Sequence, residues 1–209
     1  MRLRLWVGLA LTTGLSGPVL GNMSEEAAEE RAIDELPRAA QRRLELWQRP
    51  AGGQLRARYR LTRVSALLYE PRVVQGELGF TAPDRLELRD DEADGATTTI
   101  AAGTLTIAAN DAKLPGRAPA PDSPARRWLQ ERLLALLAAE DGATLRRDTR
   151  VRVLRGGSLE LTPAPGHPAR RVVRELRVAL HPDSGEVTEL VIVEASGDVV
   201  TLALSEHRR

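Results

Sequence analysis

Leu55-Arg56-Ala57-Arg58-Tyr59-Arg60-Leu61-Thr62 changes from apolar to polar at every step. A period of two places Leu55, Ala57, Tyr59 and Leu61 on one face and the arginines on the other. That is the pattern of a half-buried antiparallel strand. Similar short segments follow at Val73 to Phe80, Arg85 to Arg89, Thr97 to Ala101 and Thr104 to Ala108, with Pro71, Gly76, Pro83, Gly95 and Gly103 as the punctuation. Short strands separated by turn residues predict a meandering sheet or barrel.

Upstream the period is helical. Ser24 can cap a helix opening with Glu25 and Glu26, and Ile33, Leu36, Ala40, Leu44 and Trp47 draw one stripe. Pro37 divides this region or begins its second helix, and Pro50-Ala51-Gly52-Gly53 ends it. Downstream, the Pro-rich loop Asn110 to Pro124 leads into a helix over Ala125 to Ala139, with Leu129, Leu133, Leu136 and Leu137 on one face. Asp122 or Ser123 can cap this helix, and Gly142 is expected to close it.

The β pattern resumes at Val151 and Val153, then Leu159 and Leu161. Val172, Leu176, Val178 and Leu180 share one parity of the next strand. Val173, Glu175 and Arg177 share the other. Pro182-Asp183-Ser184-Gly185 turns tightly into Val187–Ala195, and Gly197-Asp198 into Val199–Ser205. The expectation is ten or eleven strands, an N-terminal helix and one inserted helix, with no internal repeat.

Residues 1–21 read differently. Arg2 and Arg4 precede a short apolar core from Leu5 to Leu15, which ends in Gly17-Pro18 and a small-residue site at Val19-Leu20-Gly21. The core is shorter than the ~20 residues a spanning helix needs, so residues 1–21 are expected to be a cleaved signal peptide. Residues 22–209 are then one exported domain of formal charge −1, since the whole chain carries +1 and loses two arginines.

Composition excludes several kinds of chemistry. There is no cysteine, hence no disulfide framework, thiolate metal site or cysteine nucleophile. Thirty basic residues nearly cancel 29 acidic ones, so no global field points to nucleic acid. Six aromatics in 209 residues are too few for base stacking on the arginine-bearing strands. His167, His181 and His207 have no partner at metal-ligand spacing. No nucleophile elbow, phosphate loop or dinucleotide fingerprint occurs. The reading is therefore a protein that is not an enzyme and needs no cofactor or metal.

What remains is a curved sheet with more apolar strand faces than a small sandwich requires. Such a sheet can enclose a pocket for an apolar ligand. Equally, its helices can fill the concave side with ordinary core, and the sequence does not separate the two.

Several stretches then carry a resemblance. They are Gly76-Glu77-Leu78-Gly79-Phe80-Thr81-Ala82-Pro83-Asp84-Arg85-Leu86, Gly103-Thr104-Leu105-Thr106-Ile107, Leu159-Glu160-Leu161-Thr162-Pro163, and the close Leu176-Arg177-Val178, Gly185-Glu186-Val187-Thr188-Glu189-Leu190 and Glu194-Ala195-Ser196-Gly197-Asp198. In order and spacing they resemble the LolA-like family of periplasmic carriers of outer-membrane lipoproteins, over about residues 25 to 206. Ala82 stands where that family has arginine before the strand proline, and the lining is aliphatic where typical members are rich in tryptophan and tyrosine. A divergent member is indicated.

The resemblance implies an unclosed antiparallel β-barrel with a helical lid, housing the acyl chains of a lipoprotein, lipid or glycolipid cargo. It implies a monomeric periplasmic chaperone that shuttles this cargo from the inner towards the outer membrane, between an inner-membrane releasing complex and an outer-membrane receptor. Strand parity assigns the cavity to Leu78, Phe80, Leu86, Leu88, Leu105, Ile107, Leu176, Val178, Leu190, Ile192, Leu202 and Leu204, and the lid to Leu129, Leu133 and Leu136. The alternative is an envelope sensor or adaptor that uses the same fold to contact a protein through arginine-rich faces such as Arg174 and Arg177.

Overall fold

A computed structural model describes residues 38–48, 53–111, 122–139, 142–154 and 156–208. The expected signal peptide, the Ser24 cap with Ile33 and Leu36, and most of the Pro-rich loop including Lys113 lie outside the described residues.

Helix α1 is Arg38–Trp47. Strands β1 (Gln54–Val64), β2 (Arg72–Thr81), β3 (Arg85–Asp90), β4 (Ala96–Ala101) and β5 (Thr104–Ala109) follow. Next come α2 (Pro124–Ala138), the short α3 (Gly142–Arg146), β6 (Thr149–Val153) and β7 (Leu159–Pro163). A 3₁₀ turn, Pro168–Arg171, precedes β8 (Val173–Leu180), β9 (Val187–Glu194) and β10 (Val199–Arg208).

All ten strands form one antiparallel sheet in the order β5-β4-β3-β2-β1-β10-β9-β8-β7-β6. Two five-strand meanders are therefore joined along a single seam, where β1 pairs with β10 through Tyr59↔Leu204 and Leu61↔Leu202. The sheet does not close, because β5 and β6 do not pair with each other. This is the unclosed antiparallel sheet with helices that the sequence predicts.

Alternation places the apolar set inward, as expected for β1, where Leu55, Ala57 and Tyr59 are buried while Arg56 and Arg60 face solvent. Two local expectations need correction. In β8 the buried residue is Val173, not Val172, because a register irregularity between Val173 and Glu175 adds a residue against β9 and flips the parity at that end. Helix α2 ends not at Gly142 but at Ala139, which is left-handed (φ 51°) and donates its N–H to the Ala135 carbonyl. Gly142 instead opens α3.

The core is continuous but unevenly distributed. Trp47, Trp128, Leu136, Leu137 and Leu145 from the helices pack with Leu161, Leu176, Val178, Leu180 and Leu190 from β7–β9. Helix α1 reaches this core because Gly185, at φ +73°, leaves room for it. A Cβ there would lie 2.4 Å from the Trp47 nitrogen. The Trp47 indole N–H donates to the Leu136 carbonyl at 3.0 Å, which joins α1 to α2.

Candidate functional site

Helix α2 crosses the concave face. Ser123 caps its N-terminus, accepting the Arg126 N–H at 3.2 Å. The helix is buried on more than one side, for Arg126, Trp128, Leu129, Gln130, Arg132, Ala135, Leu136 and Leu137 are all buried.

Arg132 holds one side of α2 to the end of the sheet. It is 1% exposed, and its Nη1 lies 2.9 Å from the Thr144 carbonyl, 3.1 Å from that of Leu145, 2.6 Å from that of Arg147 and 3.1 Å from the Thr149 hydroxyl. These carbonyls sit at and beyond the C-terminal turn of α3, where a cation is favoured. Glu131 bonds the other guanidinium nitrogen at 3.0 Å. Trp128 adds an indole N–H to Thr149 Oγ1 at 3.0 Å. This edge of the lid is thus fixed to β6.

The opposite side of α2 is not packed tight. A cavity of about 420 Å³ lies between Leu129, Leu133, Arg126 and Gln130 of α2 and the inner faces of β1–β5. Its apolar wall includes Leu61, Val74, Leu86, Leu88, Leu105 and Ile107. Tyr59 and Ile100 also line it. Charged residues gather at one end, where β2 begins and β3 ends. Arg72, Asp90, Glu92 and Asp94 all border the cavity there, while Leu86, Ile100 and Leu105 lie towards the other end by strand register. The site is an apolar slot with one polar end.

That polar end is well braced. The Tyr59 hydroxyl donates to Asp90 Oδ1, and Asp90 Oδ2 accepts the Ala96 N–H at 2.9 Å. The Asn110 amide ties the same turn, donating to the carbonyls of Asp90 at 2.8 Å and Glu92 at 3.1 Å. Burial, reinforced by the bond to Asp90, raises the Tyr59 phenol well above its usual pKa, so it stays a donor. Its ring lies over Gly76, where a Cβ would stand 2.7 Å from the ring and 2.0 Å from the Arg89 carbonyl.

Of the residues chosen by parity, Leu86, Leu88, Leu105, Ile107, Leu129 and Leu133 stand together on the cavity wall. Leu78, Phe80, Leu176, Val178, Leu190, Ile192, Leu204 and Leu136 are buried in the packed core instead, with Leu202 half-buried against it. Parity finds the inward face. It does not tell which inward residues meet a helix and which meet space. Parity does also point Tyr59, Leu61, Val74 and Ile100 inward, whereas nothing in the pattern distinguishes Arg126, Gln130 or the acids.

The histidines serve local structure. His167 accepts the Ala169 N–H at 3.2 Å, His181 accepts from Asp183 and Ser184, and His207 Nε2 lies 2.9 Å from the Val187 carbonyl. Ala82 donates its N–H to Gly53 at 2.8 Å. Among the described residues no group of three or more His, Asp or Glu side chains could hold a metal ion, and no helix there is long and apolar enough to cross a membrane. The β1 arginines face outward as expected, Arg58 pairing with Asp91.

The class this defines is an open antiparallel half-barrel with a helix laid across an apolar cavity. No protein-family model matches the sequence, and no curated protein matches it. Some solved structures are distantly similar to it. A LolA superfamily protein from Nitrosomonas europaea is 12% identical, with a TM-score of 0.42 over 81% of this chain and 92% of that one. A DUF1329 family protein from Desulfovibrio piger is 10% identical, with a TM-score of 0.46 over 86% of this chain and 92% of that one. The MucA/MucB complex of Pseudomonas aeruginosa contains a chain 13% identical, with a TM-score of 0.41 over 82% of this chain and 57% of that one.

Proposed function

We propose that this protein is a carrier in the cell envelope that takes up an acyl chain of a lipidated cargo between α2 and β1–β5. The supporting observation is the size and lining of the cavity. Its volume of about 420 Å³ and its mainly aliphatic wall suit a long apolar chain. Burying such a chain would contribute about 0.8 kcal/mol per methylene before ordering costs. The charged end suits the head of such a molecule, which stays in contact with water. Direction of transport, from the inner towards the outer membrane, follows the family resemblance, and export follows from the signal-like residues 1–21.

The test is displacement of a fluorescent fatty acid from the purified protein. Leu133→Glu and Leu105→Glu, which place a charge in the slot, should each weaken binding about tenfold or more while the protein remains folded by circular dichroism. Thr106→Glu, on the exposed face of β5, should bind as the parent does. Equal binding by all four proteins would overturn the carrier reading. Loss of function instead on reversing Arg174 and Arg177, with the cavity variants intact, would support the adaptor.

A further inference from the structure

We infer that the tip of the β1–β2 hairpin docks this protein on a lipid bilayer surface, with the charged end of the cavity towards the membrane. The large apolar side chains that stand out in solvent among the described residues are Val64, Leu67, Leu68, Tyr69 and Val73, all within one hairpin. Leu67 is 93% exposed and Tyr69 fully so. Scattered single exposures are ordinary on a protein surface, whereas a concentration at one protruding turn marks a contact site.

The tip is held in this form. Leu67 donates its N–H to Ser65 Oγ at 3.3 Å and Leu68 to the Ser65 carbonyl at 3.0 Å. Asp198, on the neighbouring β9–β10 turn, accepts from Ser65 and from the Ala66 backbone and pairs with Arg63 at 3.0 Å. Glu194 stands 3.6 Å from the same guanidinium. These bonds fix the root of the turn, so Leu67 and Tyr69 project from an anchored base and do not fold back onto β1 or β2.

Shape and position choose the occupant. Leu67 and Tyr69 are almost wholly exposed and Leu68 only in part, so the tip offers well under the ~800 Å² that a stable protein interface takes from each partner. A narrow apolar wedge carrying a tyrosine suits the boundary between headgroups and acyl chains, where amphipathic rings settle. The same hairpin also forms the cavity wall. Arg72 borders the charged end, with Val74 and Leu61 just inside it. A bilayer that received Leu67 and Tyr69 would therefore lie next to that end of the slot. The tip adds little net charge, since Arg63 is paired with Asp198 and Glu194 and the exposed Glu70 and Arg72 are opposite in sign.

Sedimentation of the protein with vesicles of phosphatidylethanolamine and phosphatidylglycerol tests this. The parent should partition onto the vesicles and do so equally in high salt. Leu67→Asp with Tyr69→Asp should lower the partition coefficient about tenfold or more, with an unchanged melting temperature and unchanged fatty-acid binding. A Tyr69→Trp variant should shift its emission to the blue on adding vesicles. No partition by the parent, equal partition by the double variant, or binding abolished by salt would each overturn the proposal. So would concentration-dependent dimerisation that the double variant loses, which would assign the tip to a second copy of the chain. Fatty-acid binding is read separately, so failure here leaves the cavity reading standing, and the reverse also holds.

Discussion

Replacing Arg132 by methionine removes the guanidinium that holds α2 to the end of the sheet but keeps an unbranched side chain of similar reach. Two carbonyls, those of Thr144 and Leu145, lose that donor. The Arg147 carbonyl keeps the Thr149 hydroxyl at 3.0 Å, and Thr149 keeps the Trp128 indole. Two lost bonds to a charged group cost about 1.5–3 kcal/mol each. Against this, the variant no longer buries a guanidinium whose Nε has no hydrogen-bond partner, which returns part of that cost. A net loss of about 2–4 kcal/mol remains, and at roughly 2–4 °C per kcal/mol for a chain of this size it lowers Tm by about 4–16 °C. Thermal unfolding followed by circular dichroism reads the shift, and hydrogen exchange should show faster exchange in α3. A Tm within about 2 °C of the parent would refute the reasoning. The desolvation of Arg132 would then cancel its bonds, and α2 would be held by apolar packing alone.

Three further outcomes follow from named contacts. Gly76→Ala should destabilise by about 2–4 kcal/mol in denaturant titration, since its Cβ meets the Arg89 carbonyl and the Tyr59 ring, while Gly79→Ala, with open space at that position, should change stability by less than about 0.5 kcal/mol. Gln130→Leu should raise Tm by about 2–4 °C, because the amide nitrogen of Gln130 is buried without an acceptor and its removal gains roughly 1 kcal/mol. Burial holds the Glu194 carboxyl above its ordinary range against the pull of Arg63, with Asp198 nearby adding to the rise. The folded state therefore keeps this proton longer than the unfolded chain, and stability falls as pH rises from the ordinary carboxylate value through the raised one. Glu194→Gln should then raise Tm at pH 7 and match the parent below about pH 4. Asp198 acts in the opposite sense. Hydrogen bonding to Arg63 lowers its carboxyl, so its contribution is present at neutral pH and lost in acid, and acid destabilisation should persist in the Glu194→Gln variant.

The strands were legible because each carries a period of two, and the turns because glycine or proline marks them. The parity of Val172 and Val173 is not legible because a bulge adds a residue, Arg174, between Val173 and Glu175, and nothing in Arg171-Val172-Val173-Arg174 marks it. The cavity was half legible. Leu86 and Leu176 read identically as inward residues of a strand, yet one faces space and the other faces packed side chains. What separates them is the far side of the sheet. Trp47, Trp128 and Leu145 fill the concave face over β7–β9, and their placement depends on tertiary contacts such as the Trp47–Leu136 bond. Arg132 is not legible as a buried residue because an arginine beside an apolar stripe reads as a solvated neighbour, and only the carbonyls of Thr144, Leu145 and Arg147 give it a reason to be buried. The exposed tip at Leu67 and Tyr69 lies between strands, where periodicity carries no information.

The seam between β1 and β10 has a consequence for the order of assembly. Each meander is built from neighbours in sequence and needs only short loops to close. The pairing of Tyr59 with Leu204 spans about 145 residues, and loop closure of that length is the slow, entropically costly kind. The two half-sheets can thus form early and independently, whereas the wall of the cavity that β1 supplies stays an open edge until residue 208 has been synthesised. A nascent or truncated chain without β10 would present β1, with its full row of unpaired amides and carbonyls, as a template for foreign strands. Proteolytic sensitivity and aggregation during biosynthesis should therefore track the final ten residues of the sheet more closely than any residue of the cavity.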